Sequence, residues 1–437
     1  METIDKIPIS KIKRASKLIG TGAKVGVNYL KYYGDKIINN EEEAKGRLDE
    51  ANATDIYDSL KNLKGSALKV AQMLSMEKSI MPEAYTDKFS LSQFSVPPLS
   101  PPLVLKTFQT YFGKSPKEIY DTFNSSSKHA ASIGQVHEAT KDGKKLAVKI
   151  QYPGVSDSIS SDLAMVKPIA IRMFNIKAKD SEKYFQEVES KLLEETDYKR
   201  EVAQSMEASI SCKKIPNVHF PQYYPDLSSD RIITMDWMDG EHLSEFAKNN
   251  KDQALANKIG QTLWDYYMFQ MHHLNTVNAD PHPGNFLVSK NGELIAIDFG
   301  CVKKIPKDFY DPYSLLFKQE NLDNPAKFKE ILLQLDVLKE NDSKEEEEFF
   351  ITMFHQLLSL FMRPFNQETF DFSDEEFFGK IAEMGESYTK KSELRKYNAN
   401  RGATHFIYVN RTNFGFYNLM NMLKAKDIKI FNYKKYL

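Results

Sequence analysis

Apolar residues recur at helical spacing through residues 55–76, where Leu60, Leu63, Ala67, Val70, Ala71 and Leu74 make one stripe. The same period predicts helices over 101–120, 182–210 and 252–274, and a mostly helical chain after about Pro306. Strand patterns are shorter. Leu146–Ile150 and residues 231–236 are apolar runs, and Phe286–Ser289 and Leu294–Ile297 flank Lys290-Asn291-Gly292 as a hairpin. Residues 1–40 interleave Ile12, Leu18, Ile19, Val25, Tyr29 and Leu30 with eight Lys/Arg against three Asp/Glu, a basic amphipathic segment. Gly20, Gly22 and Gly26 weaken a continuous helix there, and Glu41–Glu50 reads as a charged linker. The run Phe349–Met362 is too short to span a membrane and carries His355 and Gln356, so it reads as a core helix.

These elements divide the chain into a basic N-terminal segment and linker (1–50), a helical extension (51–125), a strand-bearing portion with a helical insert (126–240) and a helical portion (241–437). With 437 residues, 41% hydrophobic and 12% aromatic, the chain can bury a large core. Its net charge of −1 argues against general nucleic-acid binding, which needs a basic field. Cys212 and Cys301 match no metal or redox spacing, which points to a reducing compartment. The histidines show no ligand spacing, and the adjacent His272 and His273 read as structural. No signal peptide is visible. The expected location is cytoplasmic, with peripheral contact at the inner face of a membrane.

The chemistry concentrates in Asn278–Gly300. Asp280 precedes the hairpin and Asp298 follows it, so the hairpin returns both loops to one end. In phosphoryl transfer an Asp orients the nucleophile, an Asn five residues later binds Mg²⁺, and the Asp of Asp-Phe-Gly holds metal against the phosphates. Asp280, Asn285 and Asp298-Phe299-Gly300 occupy those places in order. Lys149 lies inside an apolar strand run, a costly position unless it meets a charge. ATP phosphates and a carboxylate would supply one. Small residues upstream (Ala130, Ala131, Ser132, Gly134, Gln135) would let backbone N–H groups approach a phosphate. One acid among Glu187, Glu189, Glu194, Glu195, Asp197 and Glu201 should pair with Lys149. Met235 would back an adenine pocket, with the backbone of Asp236 and Met238 facing the base. Taken alone, Lys69 and Gln72 read as a solvated helix face.

Four stretches together resemble the UbiB-type atypical kinase family, the ubiquinone-biosynthesis, aarF-domain group. They are Lys69-Val70-Ala71-Gln72, Ala130 to Gln135, Glu195-Thr196-Asp197, and Asp280 to Asn285 ahead of Asp298-Phe299-Gly300. The resemblance runs from about residue 10 to 300, with an echo in Arg411-Thr412-Asn413-Phe414-Gly415. It implies an α+β, protein-kinase-like two-lobed fold with an N-terminal helical extension and a helical C-lobe. It implies that Lys69 and Gln72 point into the active site, that Glu195 pairs with Lys149, and that Asp197 and Glu201 are partners for Lys69. It implies ATP and Mg²⁺ as cofactors. It also implies a small-molecule, lipid or water acceptor, with partner enzymes of lipid or quinone metabolism. Contact with anionic membrane is instead the reading of the basic segment 1–40, the alternative being a helix whose apolar side packs on its own domain. Two positions depart from the family pattern: Ala71 replaces a glycine, and His129 replaces the first alanine of the loop. The expected function is an ATPase or small-molecule kinase. The alternative is a pseudokinase-like scaffold that binds ATP and organises partner enzymes. The missing His-Arg before Asp280 argues against a conventional protein kinase.

Overall fold

In the computed structural model, residues 11–63, 88, 98–130, 133–173, 178–390, 401–402 and 404–437 are described. The chain forms two compact units, Met1–Val202 with Gln222–Trp237, and Ala203–Pro221 with Met238–Leu437.

The first unit opens with two paired helices, α1 (Lys11–Ile38) and α2 (Glu41–Leu63). The expected linker at Glu41–Glu50 is thus the start of α2. Its acids Glu41, Glu42 and Glu43 sit in the first turn, where they favour the positive end of the helix dipole. Ala44 and Leu48 then bury one side of it. The glycines of α1 do not interrupt that helix. Thr21 donates to Ser59, and Asn28 donates to Asn52 and Asp55, which ties α1 to α2 through polar contacts. Helix α3 (Pro101–Phe112) follows, ended by Gly113 in the left-handed region at φ 66°.

A five-stranded sheet then forms from β1 (Thr122–Phe123), β2 (His129–Ala130), β3 (Gly134–Lys141), β4 (Lys144–Gln151) and β6 (Ile232–Asp236). Its order is β1-β3-β4-β6, all antiparallel, with β2 on the start of β3. Phe108, Tyr120, Val148, Ile150, Tyr152 and Ile232 fill one core beside it. Between β4 and β6 run α4 (Val155–Met173), α5 (Ala178–Glu195) and α6 (Tyr198–Ser211). The long helix expected over 182–210 is therefore two helices. The break is at Thr196–Asp197, where the Thr196 carbonyl accepts from Gln151 and Arg231. The Asp197 side chain accepts the Arg200 N–H, starting the next helix.

The second unit is built on α7 (Gln253–His272), begun by Asp252, whose side chain accepts from the N–H groups of Ala254 and Leu255. Around it stand α8 (Lys307–Leu315), α9 (Pro325–Gln334), α10 (Lys344–Phe361), α11 (Glu375–Lys390) and α12 (Thr404–Met422). Trp264 of α7 is fully buried among Phe365, Phe372, Phe416 and Tyr417. The hairpin is β9 (Phe286–Val288) against β10 (Leu294–Ala296), its turn carrying Gly292 at φ 67°. It joins β5 (Val218–His219) and β7 (Glu241–His242) in a four-stranded sheet. A second pair, β8 (Thr276–Asn278) with β11 (Val302–Lys304), closes the loops on either side of the hairpin. A third pair is β12 (Thr369–Phe370) with β13 (Ile428–Lys429).

His272 ends α7 with Nδ1 2.7 Å from the Tyr310 hydroxyl and its ring stacked on Tyr433. Burial, with a lesser push from Lys434, lowers its pKa from 6.5 to about 4. A histidine whose folded pKa is depressed contributes stability that is present above pH 6.5 and lost as pH falls through 4. The full contribution is on the order of 3 kcal/mol. His272→Phe keeps the stack but strands Tyr310, so at pH 7.5 it should cost about 1 kcal/mol. Thermal unfolding of both proteins from pH 7.5 to 4.5 should show the gap close and then reverse as the pH drops, because wild type loses more than the about 1 kcal/mol that separates them. A constant gap would mean that His272 does not titrate in this range.

Candidate active site

In the first unit, β4 presents Lys149 on the same side as Ala147 and Gln151, by the period of two. Lys149 Nζ lies 2.6 Å from Glu201 Oε1, and over the Tyr198 ring at 5.2 Å. The carboxylate on Lys149 is thus Glu201, where the family pattern pointed to Glu195. The break between α5 and α6 explains this. Tyr198, Glu201, Val202 and Ser205 form the buried stripe of α6, spaced to face the sheet, and Glu201 is only 5% exposed. Glu195 is the last residue of α5, on the other side of the turn. Asp197 is exposed. The expected pairing of Asp197 or Glu201 with Lys69 falls on a residue that is not described. Lys69 and Gln72, like Ala131 and Ser132, lie outside the described residues.

Gln135 does not present its side chain to a phosphate. It is buried, its Oε1 accepts the Leu99 N–H at 2.7 Å, and its Nε2 meets His137 Nε2 at 2.8 Å. His137 Nδ1 lies 2.8 Å from the Asn124 carbonyl, which leaves Nε2 as the acceptor for Gln135. Strand alternation puts residues 135 and 137 on the same inward face. Gly134 is required by packing: a Cβ there would lie 2.7 Å from the Ile150 carbonyl oxygen and 2.9 Å from Tyr198 Oη. Ala130 ends β2 opposite Gln135. The Asp236 N–H donates to the Gln222 carbonyl, so only its C=O could serve an adenine edge. Its side chain accepts from Tyr224 Oη and the Gln222 N–H.

In the second unit, a hydrogen-bonded knot holds the loops around the hairpin. Asn278 Oδ1 accepts the Asp280 N–H at 3.0 Å, and its Nδ2 donates to the Asp298 carbonyl at 3.3 Å. Asn285 Nδ2 donates to the Asp280 carbonyl at 2.9 Å, and the Ile297 N–H donates to the Asn285 carbonyl at 3.0 Å. Asp298 Oδ1 accepts the Gly300 N–H at 2.9 Å, and Ala279 N–H reaches the Cys301 carbonyl. Asp280, Asn285 and Asp298 are therefore brought together by one network within this unit. Asn278 is the residue that sequence reasoning passed over. Its signal was available: an Asn two residues before an Asp can cap that residue's N–H in an Asx-turn.

The donor set fits a hard cation. Asn285 turns its nitrogen to Asp280, so its Oδ1 is the atom that could ligate a cation, and Asp298 could add carboxylate oxygen. Among the described residues no three His, Cys, Asp or Glu side chains form a metal cage. Two oxygen residues suit Mg²⁺, which keeps waters and takes substrate phosphate for its remaining positions. Cys212 is no competitor as a ligand, since burial pushes its thiol up to about 12.

Comparison with known proteins identifies the family. Residues 92–332 match the family model of the ABC1 atypical kinase-like domain. The atypical kinase COQ8, mitochondrial, of Saccharomyces cerevisiae is 27% identical over 384 residues, covering 86% of this chain and 75% of that protein. The probable serine/threonine-protein kinase abkA of Dictyostelium discoideum is 24% identical over 405 residues, covering 87% and 72%. The chloroplastic protein Activity of BC1 complex kinase 8 of Arabidopsis thaliana is 30% identical over 285 residues, covering 62% of this chain but 37% of its own length. The Mycobacterium tuberculosis protein Rv3197, solved as an erythromycin complex, superposes with a TM-score of 0.61 at 22% identity, covering 89% of this chain and 97% of its own; it supports a shared fold. The fold is kinase-like, and the chain belongs to the ABC1 atypical kinase-like family, the UbiB-type group.

Proposed function

We propose that this protein is a Mg-ATP-dependent atypical kinase or ATPase that acts on a small molecule, a lipid or water in support of isoprenoid quinone or lipid metabolism. The observation that carries the reading is the Asn278 and Asn285 network, which orders Asp280 beside two oxygen ligands suited to Mg²⁺. In this reading Asp280 orients the accepting hydroxyl or water, Asn285 and Asp298 hold the metal, and Lys149, steadied by Glu201, meets the nucleotide phosphates. Lys69 and Gln72 are assigned to the acceptor side of the same site. The bound metal would neutralise charge on the transferring phosphoryl group.

A membrane role for α1 is part of the proposal. Val27, Leu30 and Tyr33 are 50%, 73% and 62% exposed, and they share the helix with Lys24, Lys31 and Lys36. An exposed apolar edge flanked by lysines suits an anionic lipid surface. No described helix is long and apolar enough to cross a membrane.

The test is Mg-ATP turnover by the whole chain with and without vesicles of anionic phospholipid. Turnover that rises with vesicles, and a rise that Leu30→Glu removes, is the expected result. ATP binding without turnover in every condition would replace this reading with that of an ATP-binding scaffold.

A further inference from the structure

Helix α12 lies wholly beyond the matched stretch of residues 92–332, yet it touches the loop that carries Asp280. The contact is Gly415 against Pro281. A Cβ built on Gly415 would sit 2.3 Å from Pro281 Cγ, 3.3 Å from its Cβ and 3.6 Å from its Cδ. No side chain fits there, so the proline ring rests on helix backbone. Pro281 directly follows Asp280, and its ring cannot swing aside, because φ is fixed by the ring itself.

The helix is itself held from both neighbours. Asn413, buried, accepts from the Tyr267 hydroxyl at 3.3 Å and donates to the Tyr313 hydroxyl at 2.9 Å. Phe416 stacks on the Tyr267 ring at 4.2 Å and 14°. Tyr417 Oη donates to the Phe361 carbonyl, and Asn421 donates to the Phe372 carbonyl. Tyr267 belongs to α7, which runs directly into β8 and the Asp280 loop. Asn278, Asn285 and the His282 N–H fix the Asp280 backbone from within its own loop. Gly415 adds a wall from outside it.

We propose that α12 is a positioning element for Asp280, with Gly415 as its contact and Asn413 as the pin that sets the helix height. The inference rests on the proposed phosphoryl chemistry for its activity readout, but the loop contact can be measured without it. Gly415→Ala must push Pro281 outward by about an ångström to reach ordinary contact, and a misplacement of that size can cost about 100-fold in rate. Gly415 is not among the residues proposed to hold nucleotide or metal, so KM for ATP should stay within about twofold of wild type.

The control is Gly260→Ala on α7. A Cβ there would lie 2.5 Å from Ala425 Cβ and 3.3 Å from Ile428 Cδ1, a clash of the same kind away from the loop. Two readouts are taken on the full chain. The first is kcat and KM for Mg-ATP. The second is hydrogen exchange of the backbone amides in 278–286, several of which are bonded inside the loop. Gly415→Ala should lower kcat at least tenfold and speed loop exchange at least tenfold, while Gly260→Ala changes neither. If wild type shows no turnover, the phosphoryl reading fails, and loop exchange alone decides the positioning inference. If Gly415→Ala does not fold, the comparison moves to a Pro281→Ala background, which lacks the clashing ring atoms. There Gly415→Ala should fold and change both readouts less than twofold. Loop exchange in Gly415→Ala equal to wild type, equal effects of the two glycine variants, or a Gly415→Ala penalty that persists on Pro281→Ala, would each overturn the proposal.

Discussion

Asp298→Asn is expected to lower Mg-dependent ATP turnover by at least about 100-fold, the scale seen when one electrostatic group is removed from a reacting phosphate or oxyanion. The substitution keeps an oxygen at Oδ1, so the Gly300 N–H retains its acceptor and the loop keeps its shape. What it removes is formal charge at the position assigned to metal. The expected signature is specific: nucleotide binding measured across a Mg²⁺ titration should need far more metal, while binding in the presence of chelator stays at the wild-type level. Asn285→Ala should weaken metal dependence too, but it also cuts the Asn285–Asp280 bond, so its effect mixes metal with loop order. An Asp298→Asn protein whose nucleotide binding keeps the wild-type Mg²⁺ dependence would remove Asp298 from the metal site.

How far the site could be read in advance differed between its two halves for a physical reason. The Asp280-to-Gly300 stretch is local. A hairpin with a left-handed Gly292 in its turn fixes the return of the chain, so spacing along the sequence maps onto spacing in the fold. The strand with Lys149 was also legible, because its neighbours are uniformly apolar. The acid opposite Lys149 was not. The stretch 182–210 has no Gly or Pro, and its break comes from the Thr196 carbonyl being taken by Gln151 and Arg231, two partners distant in sequence. Once α6 restarts at Tyr198, its phase is new, and Glu201 points to the sheet. The Gln135 side chain has a local role, bonded to His137 two residues on along the same face, which a reading of its backbone N–H did not address. Gly415 stood out only within the Arg411–Gly415 echo, because its contact is a proline far back along the chain.

The lysine's partner gives the sharpest remaining separation between a reading from motif and a reading from geometry. Lys149 and Glu201 side chains are 15% and 6% exposed, with Nζ and Oε1 2.6 Å apart. A charge pair so far from water gains little over an apolar pair, yet removing one member strands the other. Glu201→Gln leaves the ammonium against a neutral amide and the Tyr198 ring. It should cost about 3 kcal/mol of stability, at the lower end for a buried pair because Lys149 keeps some solvent. It should also let the lysine wander from the nucleotide phosphates, and turnover should drop by about 100-fold, as for other misplaced phosphate-binding groups. Glu195→Gln alters a half-buried residue at the end of α5 that is not the carboxylate 2.6 Å from Lys149, so its loss should be the smaller of the two. Turnover in Glu195→Gln should remain close to wild type. Urea unfolding and Mg-ATP turnover of the two variants side by side decide the matter. A large loss in Glu195→Gln with a mild one in Glu201→Gln would return the pairing to Glu195 and would mean that the working arrangement of α5 and α6 differs from the one described.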